Sequence, residues 1–310
     1  MSCLILPKAL ERGSKIAIVS PAGYLTNPAF LDHVIPMIKG QGYVPVLSRN
    51  CLEKYDNHYA YAGTPAQRLE DLQWACDEPD IDAIWVTRGG YGSVQLLGGL
   101  NMNAICNNPK WLIGYSDITY LHSFFNGHAI ATIHGPNVVR TLSMGVAPPP
   151  SSYDKVFDIL KGAMPQYSVT SHALNKRGKA KGRLVGGNQT IVGAVSGTRY
   201  DYDYEGAILF IEDIGENAYY RIDRQMQTLE TAGALAKIKG VIVGSMRDIG
   251  GVKSNFDETA YRVISQVLSK YEIPRIFAFP AGHIPDHYPL IMGAEVEIDV
   301  QADQSHVRYS

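Results

Sequence analysis

Apolar residues in the first half of the chain fall into short unbroken runs, separated by stretches of helical spacing. Residues 15–20, "KIAIVS", form one such run and are ended by Pro21 and Gly23. Residues 43–48, 81–87, 110–114 and 128–135 repeat the pattern. Between them, 27–42 and 63–79 carry apolar residues three and four apart. The second has a complete start signal, with Thr64 to cap, Pro65 in the first turn and Gln67 three after the cap. A run without polar alternation suits a strand buried on both faces. Such strands alternating with helices predict an α/β domain built on a parallel sheet. Function is then expected in the loops at the strands' C-terminal ends.

The pattern changes beyond the middle of the chain. Residues 143–152 read as a loop and 153–162 as a helix, and 168–188 are rich in Gly, Lys and Arg. That basic stretch reads as a solvated linker or sheet edge, which puts a boundary near 165–175 and predicts domains 1–167 and 168–310. The second half mixes strands (206–216, 238–246, 275–283) with helices (217–233, 257–271). It ends in an expected hairpin over 289–310, where Val296, Ile298 and Val300 alternate with polar residues. The second domain is therefore expected to be mixed.

Composition narrows the function classes. The chain has 310 residues, 45% apolar and 19% charged, enough to bury a real core. A net charge of −2 gives no electrostatic reason for nucleic-acid or membrane binding. Cys3, Cys51, Cys76 and Cys106 form no CxxC pair, which fits a reduced, cytoplasmic setting better than a disulfide framework or zinc site. No run approaches the roughly 18 apolar residues of a membrane helix. At the N-terminus, charge follows the short apolar stretch instead of preceding it, so no signal peptide is expected.

Candidate chemistry gathers at predicted strand ends. "WLIGYSDITYLHSFF" (111–125) passes from a strand through Gly-Tyr-Ser-Asp into a helix. Ser116 on that corner is either a helix cap or a nucleophile exposed above the sheet, where the following N–H and the helix N-terminus favour an oxyanion. It is not a G-x-S-x-G elbow, because Ile118 replaces the second glycine. "RGGYG" (88–92) follows a neighbouring strand and brings backbone N–H groups close to a ligand, or is a plain turn. A dinucleotide fingerprint fails there, since Gln95 stands where the third glycine belongs. A nucleophilic serine needs a base: His134 and His283 follow strand-like runs, and His287, four residues on, competes with His283. The base needs an orienting acid, and Glu212 ends the run "AILFI", with Asp213, Glu216 and Asp223 nearby. Those carboxylates match no calcium-loop spacing, and no His-x-x-x-His pairing suggests zinc.

Taken in order, "VTRGGYGSVQLL", "IGYSDITYLH", "HGPN", "GGN", "IEDIGENAYYRIDRQMQTLETAG" and "GH…PLIMGAEVEID" resemble the LD-carboxypeptidase family of serine peptidases over nearly the whole chain. The resemblance implies a Rossmann-like first domain carrying the nucleophile, Ser116. It implies a smaller, mixed second domain with a β-rich core, carrying the glutamate, Glu212, and the histidine, His283. It also implies homodimers, no metal or organic cofactor, and a small peptide substrate cut between an L-residue and a terminal D-residue, as in cytoplasmic murein tetrapeptide recycling. Under that reading the N–H groups of Gly90 and Asp117 form the oxyanion hole. Arg88, Tyr91 and Arg221, with Arg224 beside them, are candidates for holding substrate. The alternatives are a self-immunity peptidase acting on peptide–nucleotide antibiotics and a non-enzymatic two-domain binder. One departure bears on specificity: "IPDHYPLIMG" stands where a Leu-Pro-Leu-Gly ending is expected.

Overall fold

β1 (Lys15–Val19) is apolar and buried after Lys15, as a strand covered on both faces must be. The computed structural model describes residues 4–139 and 150–309. The chain divides into two compact units, Met1–Ala163 and Met164–Ser310. In the first, β1 is followed by α1 (Leu31–Gly40), β2 (Val44–Leu47), a hairpin of β3 (Tyr55–Asn57) and β4 (Tyr59–Tyr61), and α2 (Pro65–Asp77). Then come β5 (Ile81–Val86), α3 (Asn103–Asn107), β6 (Trp111–Gly114), α4 (Thr119–Gly127), β7 (Thr132–His134) and α5 (Pro150–Leu160). The predicted capping box of α2 is complete: the Thr64 side chain accepts from the Gln67 N–H, and the Gln67 side chain accepts from the Thr64 N–H.

The strands of this unit lie side by side in the order β7, β6, β5, β1, β2, each pair parallel. The chain leaves β1 toward β2 on one side and returns to β5 on the other. The loops after β1 and β5 therefore diverge at the switch point where such sheets hold ligands. Trp85 of β5 is fully buried against the rings of Tyr153 and Phe157 and donates its indole N–H to the Pro136 carbonyl. Burying a side chain of that size stabilises by about 1.5–3 kcal/mol.

The second unit contains β8 (Gln166–Thr170), β9 (Gly178–Asn188), α6 (Gln189–Val195), β10 (Ile208–Ile214), α7 (Tyr219–Thr231), β11 (Gly240–Arg247) and α8 (Glu258–Leu268). It continues with β12 (Arg275–Ile276), β13 (Leu290–Met292), β14 (Glu295–Val300) and β15 (Gln304–Tyr309). One mixed sheet runs β12, β11, β10, β9, β14, β15, β8. β9 joins its two halves. Gly178 to Arg183 pair antiparallel with β14, and Leu184 to Asn188 pair parallel with β10. Gly186 is required here, since a β-carbon on it would sit 2.0 Å from the Phe210 carbonyl oxygen.

The structure corrects two expectations. The basic stretch 168–188 is no linker, because most of it is β9 and the end of β8. Lys179, Lys181 and Arg183 alternate along β9 and pair with Asp299, Glu295 and Asp203, so the basicity marks one solvated face of a strand. The strand expected over 275–283 lasts only two residues as β12, and beyond it Ala278 adopts φ +57, which a strand does not allow. Residues 143–149 of the expected loop, and Cys3, lie outside the described residues. Among the described residues, no helix is long and apolar enough to cross a membrane.

Candidate active site

β6 delivers Ser116 to the end of the first unit's sheet. Ser116 to Ile118 form a single tight turn before α4, and Ser116 has φ +67. A left-handed conformation costs a side-chain-bearing residue roughly 1–2 kcal/mol. Neither the turn nor α4 has a side-chain cap. The capping role open to this serine is thus unused, while the strain is retained, a combination common at functional positions.

The "RGGYG" loop lies against this corner. A β-carbon on Gly89 would sit 3.0 Å from the Ser116 Cβ and 3.3 Å from its Oγ. Gly90 has φ +108 and carries the Tyr59 hydroxyl on its surface, where an added β-carbon would meet Oη at 2.2 Å. Tyr91 is 41% exposed and packs its ring against Tyr59 and Tyr61 at 5.9 and 6.1 Å. Arg88 donates from Nη1 to the Tyr24 carbonyl at 3.2 Å. The Asp117 carboxylate is buried and accepts the Ser93 N–H at 2.8 Å. Burial, only partly offset by hydrogen bonds from Ser93 and by Arg68, pushes its pKa up to about 6.

β10 carries Glu212 to a fully buried position in the second unit. Its Oε2 lies 2.7 Å from Nδ1 of His283, which sits on the loop after β12. A carboxylate there takes the Nδ1–H and leaves Nε2 as the acceptor, the tautomer a general base requires. Asn188 donates to the other Glu212 oxygen at 3.4 Å and to Asp213 at 2.9 Å. Gly282 has φ +114, and a β-carbon on it would strike Glu212 Oε2 and Ser245 Oγ, each at 2.5 Å. Arg247 donates to the His283 carbonyl at 3.1 Å. Burial, and then the Glu212 charge, push Asp213 up to about 7.

The remaining candidates have other partners. His287 is buried with Nδ1 2.8 Å from the Gly282 carbonyl, so it props the loop that presents His283. His134 is buried in the first unit between the rings of Tyr115 and His122. Arg221 pairs with Glu216 at 3.3 Å, and Arg224 lies over the Tyr220 ring. Asp223 accepts from Gln227. Among the described residues, no three His, Cys, Asp or Glu side chains are grouped to hold a metal ion. Sequence reasoning missed Tyr59, Arg68 and Asn188. Only Asn188 carried a signal, as the last residue of the "GGN" block.

Residues 16–135 match the LD-carboxypeptidase N-terminal domain and 181–298 the LD-carboxypeptidase C-terminal domain. The protein belongs to the LD-carboxypeptidase family, a family of peptidases. Among its relatives, a murein tetrapeptide carboxypeptidase of Pseudomonas aeruginosa is 33% identical over 279 residues, 87% of this chain and 88% of that protein. The crystal structure of muramoyltetrapeptide carboxypeptidase from Oxalobacter formigenes superposes with a TM-score of 0.82 at 24% identity, covering 96% of this chain and 98% of that one. The microcin C7 self immunity protein MccF, in complex with aspartyl sulfamoyl adenosine, gives 0.83 at 25% identity, covering 100% and 99%. These likenesses establish the fold.

Proposed function

We propose that this protein is a serine carboxypeptidase that hydrolyses the amide between an L-residue and a C-terminal D-amino acid, with murein tetrapeptides as substrates. The observation that carries the reading is the buried Glu212–His283 pair at 2.7 Å, which poises Nε2 as a base. The uncapped, left-handed Ser116 supports it from the first unit. The identity to a murein tetrapeptide carboxypeptidase supports the substrate class.

In this mechanism His283 takes the Ser116 proton and the alkoxide attacks the scissile carbonyl. The N–H groups of Gly90 and Asp117 receive the developing oxyanion, and each such donor is worth roughly 100- to 1000-fold in turnover. His283 then protonates the leaving amine, and water repeats the sequence on the acyl-enzyme. Glu212 holds the imidazole throughout. No step requires a metal or an organic cofactor. We assign residues 1–167 to the domain carrying the nucleophile and 168–310 to the domain carrying the acid and base. Arg88, Tyr91 and Arg221 are assigned to holding the substrate. The setting we propose is cytoplasmic murein recycling by a homodimer.

A second reading, self-immunity against a peptide–nucleotide antibiotic, draws on the likeness to MccF and on the cluster that Tyr91 of the loop beside Ser116 forms with Tyr59 and Tyr61 of β4, since a base can stack on such rings. One experiment separates the readings. The protein is incubated with a tetrapeptide ending in D-Ala, its all-L counterpart and an aspartyl sulfamoyl adenosine, and product masses are measured. Cleavage of the first alone supports the proposal, and cleavage of the third alone replaces it with the second reading. No cleavage by the wild type, or full cleavage by Ser116→Ala, overturns both.

A further inference from the structure

The peptide unit between Gly92 and Ser93 is gripped at both ends by buried charge. Its carbonyl oxygen, on Gly92, accepts from Arg68 Nη1 at 3.0 Å. Its N–H, on Ser93, donates to Asp117 Oδ2 at 2.8 Å. Arg68 is 1% exposed and Asp117 2%. Arg68 is itself fixed by the carbonyls of Pro21 at 2.7 Å and Gly63 at 3.2 Å, by the Gln95 side chain, and by the Tyr61 ring 4.9 Å beneath its guanidinium. Gly92 is at φ +134, and a β-carbon there would sit 2.6 Å from Arg68 Nη1.

A glycine-rich loop is a poor source of oriented donors by itself, because glycines at positive φ let neighbouring peptide planes turn over. Transition-state stabilisation needs donors aimed before the reaction starts. Turning the 92–93 peptide over would set its carbonyl against the Asp117 carboxylate and its N–H against the Arg68 guanidinium, so both contacts would become repulsive. Asp117 also belongs to the turn that holds Ser116, so the same carboxylate couples the serine corner to the loop.

We infer that Arg68 and Asp117 are positioning residues that lock the 92–93 peptide and so keep the Gly90 N–H aimed at the oxyanion. This rests on the proposed serine mechanism, and it gives the Asp117 side chain a role separate from that of its backbone N–H.

The test uses the intact protein with the D-Ala tetrapeptide and a fluorophosphonate that labels an activated serine. Asp117→Ala should lower kcat about 10- to 100-fold, below the loss of a whole donor, with KM within about threefold, and should slow labelling by the same factor. Asp117→Asn keeps an acceptor for the Ser93 N–H and should recover most of that loss. Arg68→Met should match Asp117→Ala, and the double variant should be no worse than the poorer single one, because both act on one peptide. Arg68→Lys keeps the charge but offers three donors on one atom, where four acceptors are met by three separate guanidinium nitrogens. Its loss of about three- to tenfold in kcat keeps the idea testable if the truncations fail to fold. Unchanged kcat in Asp117→Ala, a change confined to KM, equal losses in Asn and Ala, or additive losses in the double variant would each overturn the lock. Retained activity in Ser116→Ala would instead overturn the serine mechanism, whatever the Asp117 variants do.

Discussion

Gly282 offers a perturbation whose geometry is defined in advance. Its φ of +114 lies outside the range a side-chain-bearing residue tolerates, at a cost on the order of 1–3 kcal/mol. In Gly282→Ala the new methyl would start 2.5 Å from Glu212 Oε2, 2.5 Å from Ser245 Oγ and 2.9 Å from Glu212 Cβ. These are core atoms with little freedom, so overpacking adds about 1–3 kcal/mol. The sum is about 2–6 kcal/mol, and at about 2–4 °C per kcal/mol Tm should fall by roughly 5–20 °C. The methyl pushes on the carboxylate oxygen that holds His283, so catalysis should suffer separately. Losing the correct imidazole tautomer in a triad costs about ten-thousandfold in kcat, and displacement without removal should cost between about 100-fold and that limit. Gly233→Ala is the control, since its φ is +74 and nothing lies within 4 Å of the added carbon. It should lose only about 1–2 kcal/mol and keep its kcat. Melting followed by circular dichroism and initial rates on the D-Ala tetrapeptide read both effects. If the two variants lose the same Tm and both keep kcat, the steric argument and the role given to Glu212 are refuted.

Ser116→Ala should abolish hydrolysis, by about a millionfold if the loss follows other triads, with melting unchanged. Ser116→Gly should be as inactive yet more stable by about 1 kcal/mol in denaturant titration, because it relieves φ +67. Asp117 carries a pH signature. Its pKa in the folded state is raised from 3.8 to about 6, so the folded protein holds this proton more tightly than the unfolded chain does. The resulting stability is present below about pH 4 and is lost as pH rises to about 6, a swing of about 3 kcal/mol. The difference in unfolding free energy between wild type and Asp117→Asn should follow that curve between pH 4 and 7, and a flat difference would refute the assignment. EDTA should leave turnover unchanged, because an alcohol, an imidazole and a carboxylate complete the mechanism; a loss restored by Zn²⁺ would contradict it.

The parallel sheet was legible in the sequence because burial on both faces leaves β1, β5 and β6 almost wholly apolar, with only Lys15 and Asp82 charged. α2 was legible because its cap and first turn are local chemistry. β9 was not, because one strand with a solvated basic half and a buried glycine half has no single period. The stop after β12 was not either, since nothing in "RIFAFPAGH" announces a left-handed Ala278. At the candidate site, strand-end position and family resemblance nominated Glu212 and His283, and the fold sets them within hydrogen-bonding distance. The residues alone left His287 open beside His283 and the family resemblance chose His283; the structure adds that His287 is occupied by the Gly282 carbonyl. Arg68 reads as an ordinary helical arginine. Its burial follows from carbonyls of three separate segments meeting around it, which no local pattern encodes.

β9 changes partners partway along its eleven residues. A misalignment of one residue against β14 would travel down the same backbone and move Asn188 off Glu212 while inverting every side chain between them. The closing hairpin of the chain thereby acts as a ruler for the acid, and correct zippering of strands bearing no reactive group becomes a condition for setting the carboxylate.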